Sequence, residues 1–513
     1  MKKILVVVVA LFTAVVSYGQ NEIDAFRFSR NDLQGTARAQ GMGGAFGALG
    51  GDPAGVVINP AGIAVYRSSE VSATMGLSNI KITTNGNESQ SVTKFDFDNI
   101  SYVGYFPTGS DIVRSVNFGV TYNRLKNFNR HYTGFNGERA TSLTDFIAYT
   151  SEDYAPDILG GANRFYSGAP WLSVLGWNAY LIDPNTSTSY KSLLGEGELV
   201  DSEIKAREKG YIDAYDFSVG TNMSDKLYFG LTFSLTDLYY QSTSTYWEDF
   251  YAGGGFALDS YVEMTGSAYQ LKLGAIYRPI DQLRLGVSYH SPTWYSLREI
   301  SQASIIPDGI DYEENGQMHS AGRVDTPDDA YWNYQLRTPY SWTFSVAAVI
   351  GTNAILSLDY EIKDYSAMNL KDDNGYNRKS DNQIIDEDFK IASSVRLGLE
   401  YKITPQFSGR LGYAWIGNPY TDDFKNAKVQ AVASEIIPHY TIEGDVNYFT
   451  VGLGYRFTPQ FYMDLAFVAK TQTDDLYYFS PLPDPNPSWD LASTPVSYKN
   501  NTYRGLLTLG YKF

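Results

Sequence analysis

From about residue 69 to the C-terminus the side chains alternate, apolar against small or polar, in segments of roughly ten residues or more. Val116, Phe118, Val120 and Tyr122 oppose Asn117, Gly119, Thr121 and Asn123, and Leu227, Phe229, Leu231, Phe233 and Leu235 oppose Tyr228, Gly230, Thr232 and Ser234. Tyr340, Trp342, Phe344 and Val346 alternate with Ser341, Thr343 and Ser345, and Val395, Leu397, Leu399 and Tyr401 with Arg396, Gly398, Glu400 and Lys402. A period of two puts one apolar face on each strand. Fourteen such segments centre near residues 74, 99, 120, 216, 232, 268, 288, 344, 359, 395, 411, 449, 465 and 507. Brief turns at Pro107 to Ser110, Asn222 to Asp225, Pro279 to Asp281, Gly351 to Asn353, Thr404-Pro405 and Thr458-Pro459 alternate with long polar connections over 127–210, 301–336, 367–387, 418–441 and 472–500. Short turns at one end and long loops at the other are the layout of a bacterial outer-membrane barrel. Closure is what makes hydrocarbon tolerable, because each unpaired backbone group there costs several kcal/mol and a closed sheet has no edge.

β-Sandwiches and jelly rolls alternate as well. Here the polar parity is rich in Gly, Ser and Thr, which suits a crowded lumen better than a wetted surface. Tyr122, Tyr277, Tyr289, Trp415, Tyr455 and Tyr511 fall near strand ends, as interfacial belts do. Leu507, Leu509, Tyr511 and Phe513 alternate with Thr508, Gly510 and Lys512 up to a terminal Phe, a pattern similar to the C-terminal signal read by the outer-membrane assembly machinery. A helical span is excluded, since mean hydropathy is -0.27 and only the first nineteen residues hold a long apolar run. That run, Ile4 to Val16 after Lys2 and Lys3 and before Ser17-Tyr18-Gly19, reads as a secretory signal peptide over 1–19. A net charge of -17 argues against a nucleic-acid partner, and the absence of Cys removes disulfides, thiolate zinc sites and thiol nucleophiles.

Between the signal and the first strand stand Gly35-Thr36-Ala37-Arg38, then Gly41-Met42-Gly43-Gly44-Ala45-Phe46-Gly47-Ala48-Leu49-Gly50-Gly51-Asp52, then Asn59-Pro60-Ala61-Gly62. These elements, in this order, resemble the N-terminal plug of the FadL/TodX family of outer-membrane transporters for long-chain fatty acids and aromatic hydrocarbons. The resemblance implies an all-β fold, a transmembrane antiparallel β-barrel of about fourteen strands, with a plug over 20–68 inside the lumen of a barrel over 69–513. It makes Gly43, Gly44, Gly47, Asn59, Pro60 and Ala61 the gating candidates. A phosphate cradle does not fit the glycines, because no lysine follows Gly51 and Gly-x-Gly-x-x-Gly is not met. Taken singly, the glycines also suit mere close backbone approach, with Pro60 fixing a turn.

Arg284, His290, Arg396, Arg410 and Arg456 fall on the polar parity and are therefore expected to face the lumen. Such cations either pair with inward acids such as Glu400 or Asp464 and brace the barrel, or meet the carboxylate of an amphipathic ligand. In the loop over 127–210, Trp171, Leu172, Leu175, Trp177 and Tyr180 form an apolar cluster that reads as either a capture groove for a hydrophobic ligand or a self-packed loop core. Catalysis has no motif, since His131, His290, His319 and His439 lie far apart with no Gly-x-Ser-x-Gly or His-Glu-x-x-His around them. No catalytic residue, cofactor or metal ligand is assigned. The expected function is passive uptake of hydrophobic small molecules through the outer membrane of a Gram-negative bacterium, gated by the plug, by a chain that meets lipid and lipopolysaccharide and is monomeric as the resembled family is. A porin for polar solutes and a haem-binding or adhesive receptor acting through His131 or His439 are the alternatives.

Overall fold

The computed structural model describes residues 22–84, 89–328, 331–431, 436–482 and 494–513. The signal-peptide reading of residues 1–19 lies outside the described residues. Fourteen strands form the wall: β1 Glu70–Thr84, β2 Gln90–Pro107, β3 Val113–Asn127, β4 Val200–Met223, β5 Leu227–Phe250, β6 Gly255–Ile280, β7 Leu283–His290, β8 Ser341–Ile350, β9 Ala354–Asp364, β10 Ile391–Lys402, β11 Phe407–Ile416, β12 Tyr440–Arg456, β13 Phe461–Tyr477 and β14 Val496–Lys512. Each pairs antiparallel with the next, and β14 returns to β1 from Glu70↔Lys512 to Thr84↔Tyr498, so the sheet closes into a barrel. Every segment centre expected from the dyad lies in one of these strands.

The alternation decides which face meets lipid. In β5 the outward Leu227, Phe229, Leu231, Phe233 and Leu235 are 40–44% exposed, while Thr232 and Ser234 are buried. The interior parity carries Asn117, Asp216 and Lys272, all buried, the reverse of a soluble core. Tyr122, Tyr289 and Trp415 sit toward the long-loop ends of their strands and Tyr277, Tyr455 and Tyr511 toward the short-turn ends, forming two belts.

β4, β5 and β6 have 24, 24 and 26 residues, more than twice the roughly ten that cross a bilayer. The stretch 127–210, expected to be loop throughout, is therefore partly sheet. Arg130–Arg139 pairs with upper β4, from Arg130↔Glu208 to Arg139↔Val200, and Trp294–Asp308 pairs with upper β6. Above the bilayer the outward face meets water and is free to be charged, so the apolar-out signal vanishes. The inward dyad persists, with Val200, Ser202, Ile204, Ala206 and Glu208 all buried.

Residues 22–68 descend through the lumen from the long-loop end. α1 (Glu22–Ser29) anchors in the outer cap, where Phe26 meets the rings of Tyr365, Phe389 and Tyr420 at 5.5, 5.7 and 5.2 Å. α2 (Ala37–Gly41), α3 (Pro53–Ile58) and a 3-10 turn (Pro60–Val65) follow. Thr36, Asp52 and Asn59 cap these three turns, and Pro53 and Pro60 occupy first-turn positions where no N–H is missed. The Asn-Pro-Ala element is thus an N-cap followed by a proline-started turn.

Candidate functional site

Backbone, rather than side chain, seats the plug on the wall. Gly43 and Gly44 adopt left-handed φ of 63° and 75°, which glycine tolerates. A Cβ at Gly43 would stand 2.8 Å from the backbone N and O of Tyr413, and one at Gly47 would stand 2.0 Å from Ser345 Oγ. The Gly47 N–H donates to Asp359 at 2.9 Å. Asn59 is the knot of this region: its Nδ2 donates to Gly47 O at 2.6 Å and reaches Ala275 O and Val287 O at 3.3 and 3.4 Å, while its Oδ1 accepts from Ala61 N at 3.0 Å. The Pro60-Ala61 peptide lies directly on Gly230, whose Cβ, if present, would be 2.2 Å from the Pro60 carbonyl atoms. Gly274, Gly286, Gly398 and Gly412 meet the plug backbone in the same way. These wall glycines went unassigned in the sequence, where their mark is a glycine on inward strand parity.

The lumenal charges divide. Arg410 donates to Glu400 and to Asp464, both at 2.6 Å, and Arg38 of the plug donates to the same Glu400 at 2.9 and 3.2 Å. Arg396 pairs with Glu361, Arg284 donates to Leu49 O and His290 bonds Ile58 O at 3.0 Å. Arg456 departs from expectation. It ends β12 and is exposed beside the 457–460 turn, so its inward parity falls beyond the level where the lumen is filled.

Above α2 and α3 lies a chamber of about 170 Å³, and an adjoining cavity of about 90 Å³ shares Arg30, Asp32 and Gln34 with it. Phe28, Leu33, Val57, Ile58 and Tyr295 give the chamber apolar wall. Two ammonium groups facing these spaces have no carboxylate in ion-pair distance among the described residues. Lys126 Nζ donates to Arg27 O at 2.7 Å and Lys363 Nζ to Ser29 O at 2.6 Å. Between them Arg30 uses Nη1 on Glu443 at 2.9 Å, and its buried Nη2 has no partner among the described residues. The lining thus joins apolar wall to these cations and to the carboxylates of Asp32, Glu361 and Glu443.

The wall has a seam beside the second cavity. The β2–β3 ladder runs only from Pro107↔Ser115 to Asn99↔Asn123. Above it, residues 90–97 of β2 pair with β1 alone, and upper β3 pairs with β4 alone. Side chains bridge the gap. Arg124 donates to Asp96 at 2.6 Å and Asn127 to Asp96 at 2.8 Å, with Arg124 also held by Asp213 at 2.7 Å.

The cap buries most of the apolar cluster read as a capture groove or a self-packed loop core. Trp171, Leu172 and Leu175 are buried, in one cluster with Leu143 and Ile147. Trp171 meets Trp332 at 5.1 Å and donates to Phe165 O, and Trp177 packs on Tyr190. Of the five, only Tyr180 is exposed, stacked on Tyr312 at 3.7 Å. The helix Trp171–Asn178 is apolar nearly all round, and a helix of that kind buries itself.

His439 lies in a buried cavity of the cap with Asp24, Arg27 and Glu208. Burial holds its pKa down to about 4, against the pull of Glu208. The depressed value means the imidazole is neutral in the folded cap, so stability is complete above the ordinary 6.5 and is lost as pH falls toward 4. Protease protection of the cap is expected to fall over that interval, and His439→Gln is expected to remove that part of the fall.

The model of the outer membrane protein transport protein family (OMPP1/FadL/TodX) matches residues 254–475, which bears out the resemblance drawn from the N-terminal motifs and does so on a different part of the chain. No curated protein matches the sequence. A Pseudomonas aeruginosa FadL homologue is 14% identical, with 94% of this chain and 99% of that one aligned at a TM-score of 0.51. A deltaS2S3 mutant of the TodX monoaromatic hydrocarbon channel is 13% identical, over 94% and 100% of the chains, with a TM-score of 0.50. The P. putida toluene transporter TodX is 13% identical over 94% and 99%, with a TM-score of 0.49. The matched family is one of outer membrane transport proteins, and the fold is that of the FadL homologue.

Proposed function

We propose that this barrel is a passive, plug-gated route for hydrophobic and amphipathic small molecules, and that its preferred cargo carries an anionic headgroup on an apolar body. The observation that carries this reading is the chamber above the plug, which is apolar along Phe28, Leu33 and Tyr295 yet lined by Lys363 and by Arg30, whose buried Nη2 has no hydrogen-bond partner among the described residues. A general porin would need an open lumen, whereas here the plug backbone rests on wall glycines and is pinned by Asn59 and by the Arg38–Glu400 pair. The similarity to a monoaromatic hydrocarbon channel and to a FadL homologue supports a hydrophobic cargo.

In this mechanism the ligand reaches the chamber from the outer cap, and its anion displaces the backbone carbonyls of Arg27 and Ser29 from Lys126 and Lys363. Those carbonyls belong to the plug, so the ligand favours a plug arrangement in which they are released. A ligand shifts the plug only by its differential affinity for the two arrangements. The cargo leaves through the seam between β2 and β3 into the bilayer. Cells carrying the protein are expected to take up a long-chain carboxylate faster than cells lacking it, while uptake of a small sugar is unchanged. Equal carboxylate uptake defeats the reading.

A further inference from the structure

The chain carries a net charge of -17, yet one sector of its outer surface is basic. On the outward parity of upper β4 stand Arg207 and Lys209, both exposed. His131 of the Arg130–Arg139 strand lies directly opposite Arg207. Lys94 is exposed on the free edge of β2. Partial burial, and after it the charges of Arg207 and Lys94, hold the His131 imidazole below its ordinary pKa, so the three cationic positions share one neighbourhood. On the far side of β2, Lys81 of β1 and Lys499 of β14 are exposed diagonal neighbours, since Lys81 pairs with Asn501 and Thr83 with Lys499.

Among the described residues none of Lys81, Lys94, Arg207, Lys209 and Lys499 has a carboxylate in ion-pair distance. The acids that could serve are engaged elsewhere. Glu203 holds Lys205 at 3.0 Å, Asp96 and Asp213 hold Arg124, and Glu263 accepts from the Tyr239 and Tyr261 hydroxyls at 3.3 and 2.8 Å. A lysine on an open edge such as β2 also blunts strand addition. That explanation does not extend to Arg207, Lys81 or Lys499, which lie between paired strands. Nor is the rim basic all round: above the lipid-facing Phe449 and Phe467, β12 and β13 present Asp445 and Asp475.

The height of the patch says what it meets. Lys81 stands four residues above the outward Leu77, Lys499 four above the outward Tyr503, and Lys209 and Arg207 six and eight above the outward Tyr215. With a rise of about 3.3 Å per residue and a strand tilt of about 40°, the cations occupy a band roughly 10–20 Å beyond the last lipid-facing side chains. In an outer membrane that band holds the phosphorylated sugars of lipopolysaccharide. Like charges set side by side repel, and a phosphate placed among them relieves the repulsion while accepting charge-assisted hydrogen bonds, with the Arg207 fork suited to two of its oxygens.

We infer that Lys94, Arg207 and Lys209, with Lys81 and Lys499 beside them, form a docking surface for the phosphates of outer-leaflet lipopolysaccharide. The molecule is held against one sector of the barrel, from β14 through β1 and β2 to β4. The Tyr211 and Tyr239 rings, 6.1 Å apart on the outward face just below Lys209, give its sugars an aromatic floor.

The test measures binding of deep-rough lipopolysaccharide, and of the same material with its phosphates removed, to the full-length protein in detergent. The unaltered protein is expected to bind the phosphorylated form about tenfold more tightly or better. The variant Lys94→Gln, Arg207→Gln, Lys209→Gln is expected to bind both forms alike. All three side chains are exposed, so the barrel folds without them. Lys402→Gln with Arg456→Gln, exposed at the short-turn end, is expected to keep the full preference. A preference that survives the triple variant, or that the short-turn pair abolishes equally, overturns the docking surface. Displacement of the lipopolysaccharide by millimolar inorganic phosphate would make this a site for free anions and overturns it too. No transported compound enters the measurement, so its result stands apart from the cargo assignment.

Discussion

Gly230→Val is expected to turn a closed barrel into one that carries ion current across a planar bilayer. The Cβ at this position would fall 2.2 Å from the Pro60 carbonyl carbon and oxygen and 2.5 Å from Ala61 N. These are backbone atoms that cannot swing aside, so the Pro60-Ala61 turn must lift from the wall. Lifting it breaks the hydrogen bonds of Asn59 to Gly47, Ala275 and Val287, each of which costs about 1–3 kcal/mol where the group is left buried and unpaired. Gly505→Val is the control. A Cβ there meets nothing within 4 Å, and its current is expected to match that of the unaltered protein. Current unchanged by Gly230→Val would show that the plug is not seated through this contact.

Glu400→Gln is expected to have the larger effect on stability. One carboxylate serves two guanidiniums, Arg38 of the plug and Arg410 of the wall, both with side chains largely out of water. Removing one member of a buried ion-pair network costs about 3–5 kcal/mol, because the remaining charges stay buried. Asp464 retains Arg410 at 2.6 Å, so the loss falls mainly on Arg38 and the plug. Amide exchange over residues 37–51 is expected to quicken and the melting temperature to fall. Adding Arg38→Gln is expected to restore part of the loss, since the stranded cation is then gone. Additive losses in that double variant would contradict a shared network.

The part of the fold that touches lipid was legible because acyl chains accept only apolar side chains, so Phe229, Leu231 and Phe233 announce both strand and face. Upper β4 was not legible. Beyond the bilayer Lys205, Arg207 and Lys209 are as acceptable outward as leucine is below, and only the inward Ile204, Ala206 and Glu208 keep the dyad. The Asn59-Pro60-Ala61 element was visible as a motif, but its seat on Gly230 and Gly274 depends on pairing strands far apart in the chain. The apolar run around Trp171 was read two ways because a buried loop core and an exposed groove share one composition. Its partners Leu143 and Ile147 decide for the core. Bulges leave no mark of their own: Asp98 stands between Phe97 and Asn99 in an otherwise regular dyad, so the seam emerged only from the register.

The most direct measurement is uptake of a long-chain carboxylate by cells whose barrel carries Ala37→Cys and Thr508→Cys. The Ala37 N–H already meets Thr508 Oγ1 at 2.8 Å, and the natural chain has no cysteine to compete. Uptake is expected to fall to the level of cells lacking the protein when the pair is oxidised, and to return on reduction. Carboxylate entry that continues undiminished through a barrel with its plug covalently fixed would contradict the plug-gated route.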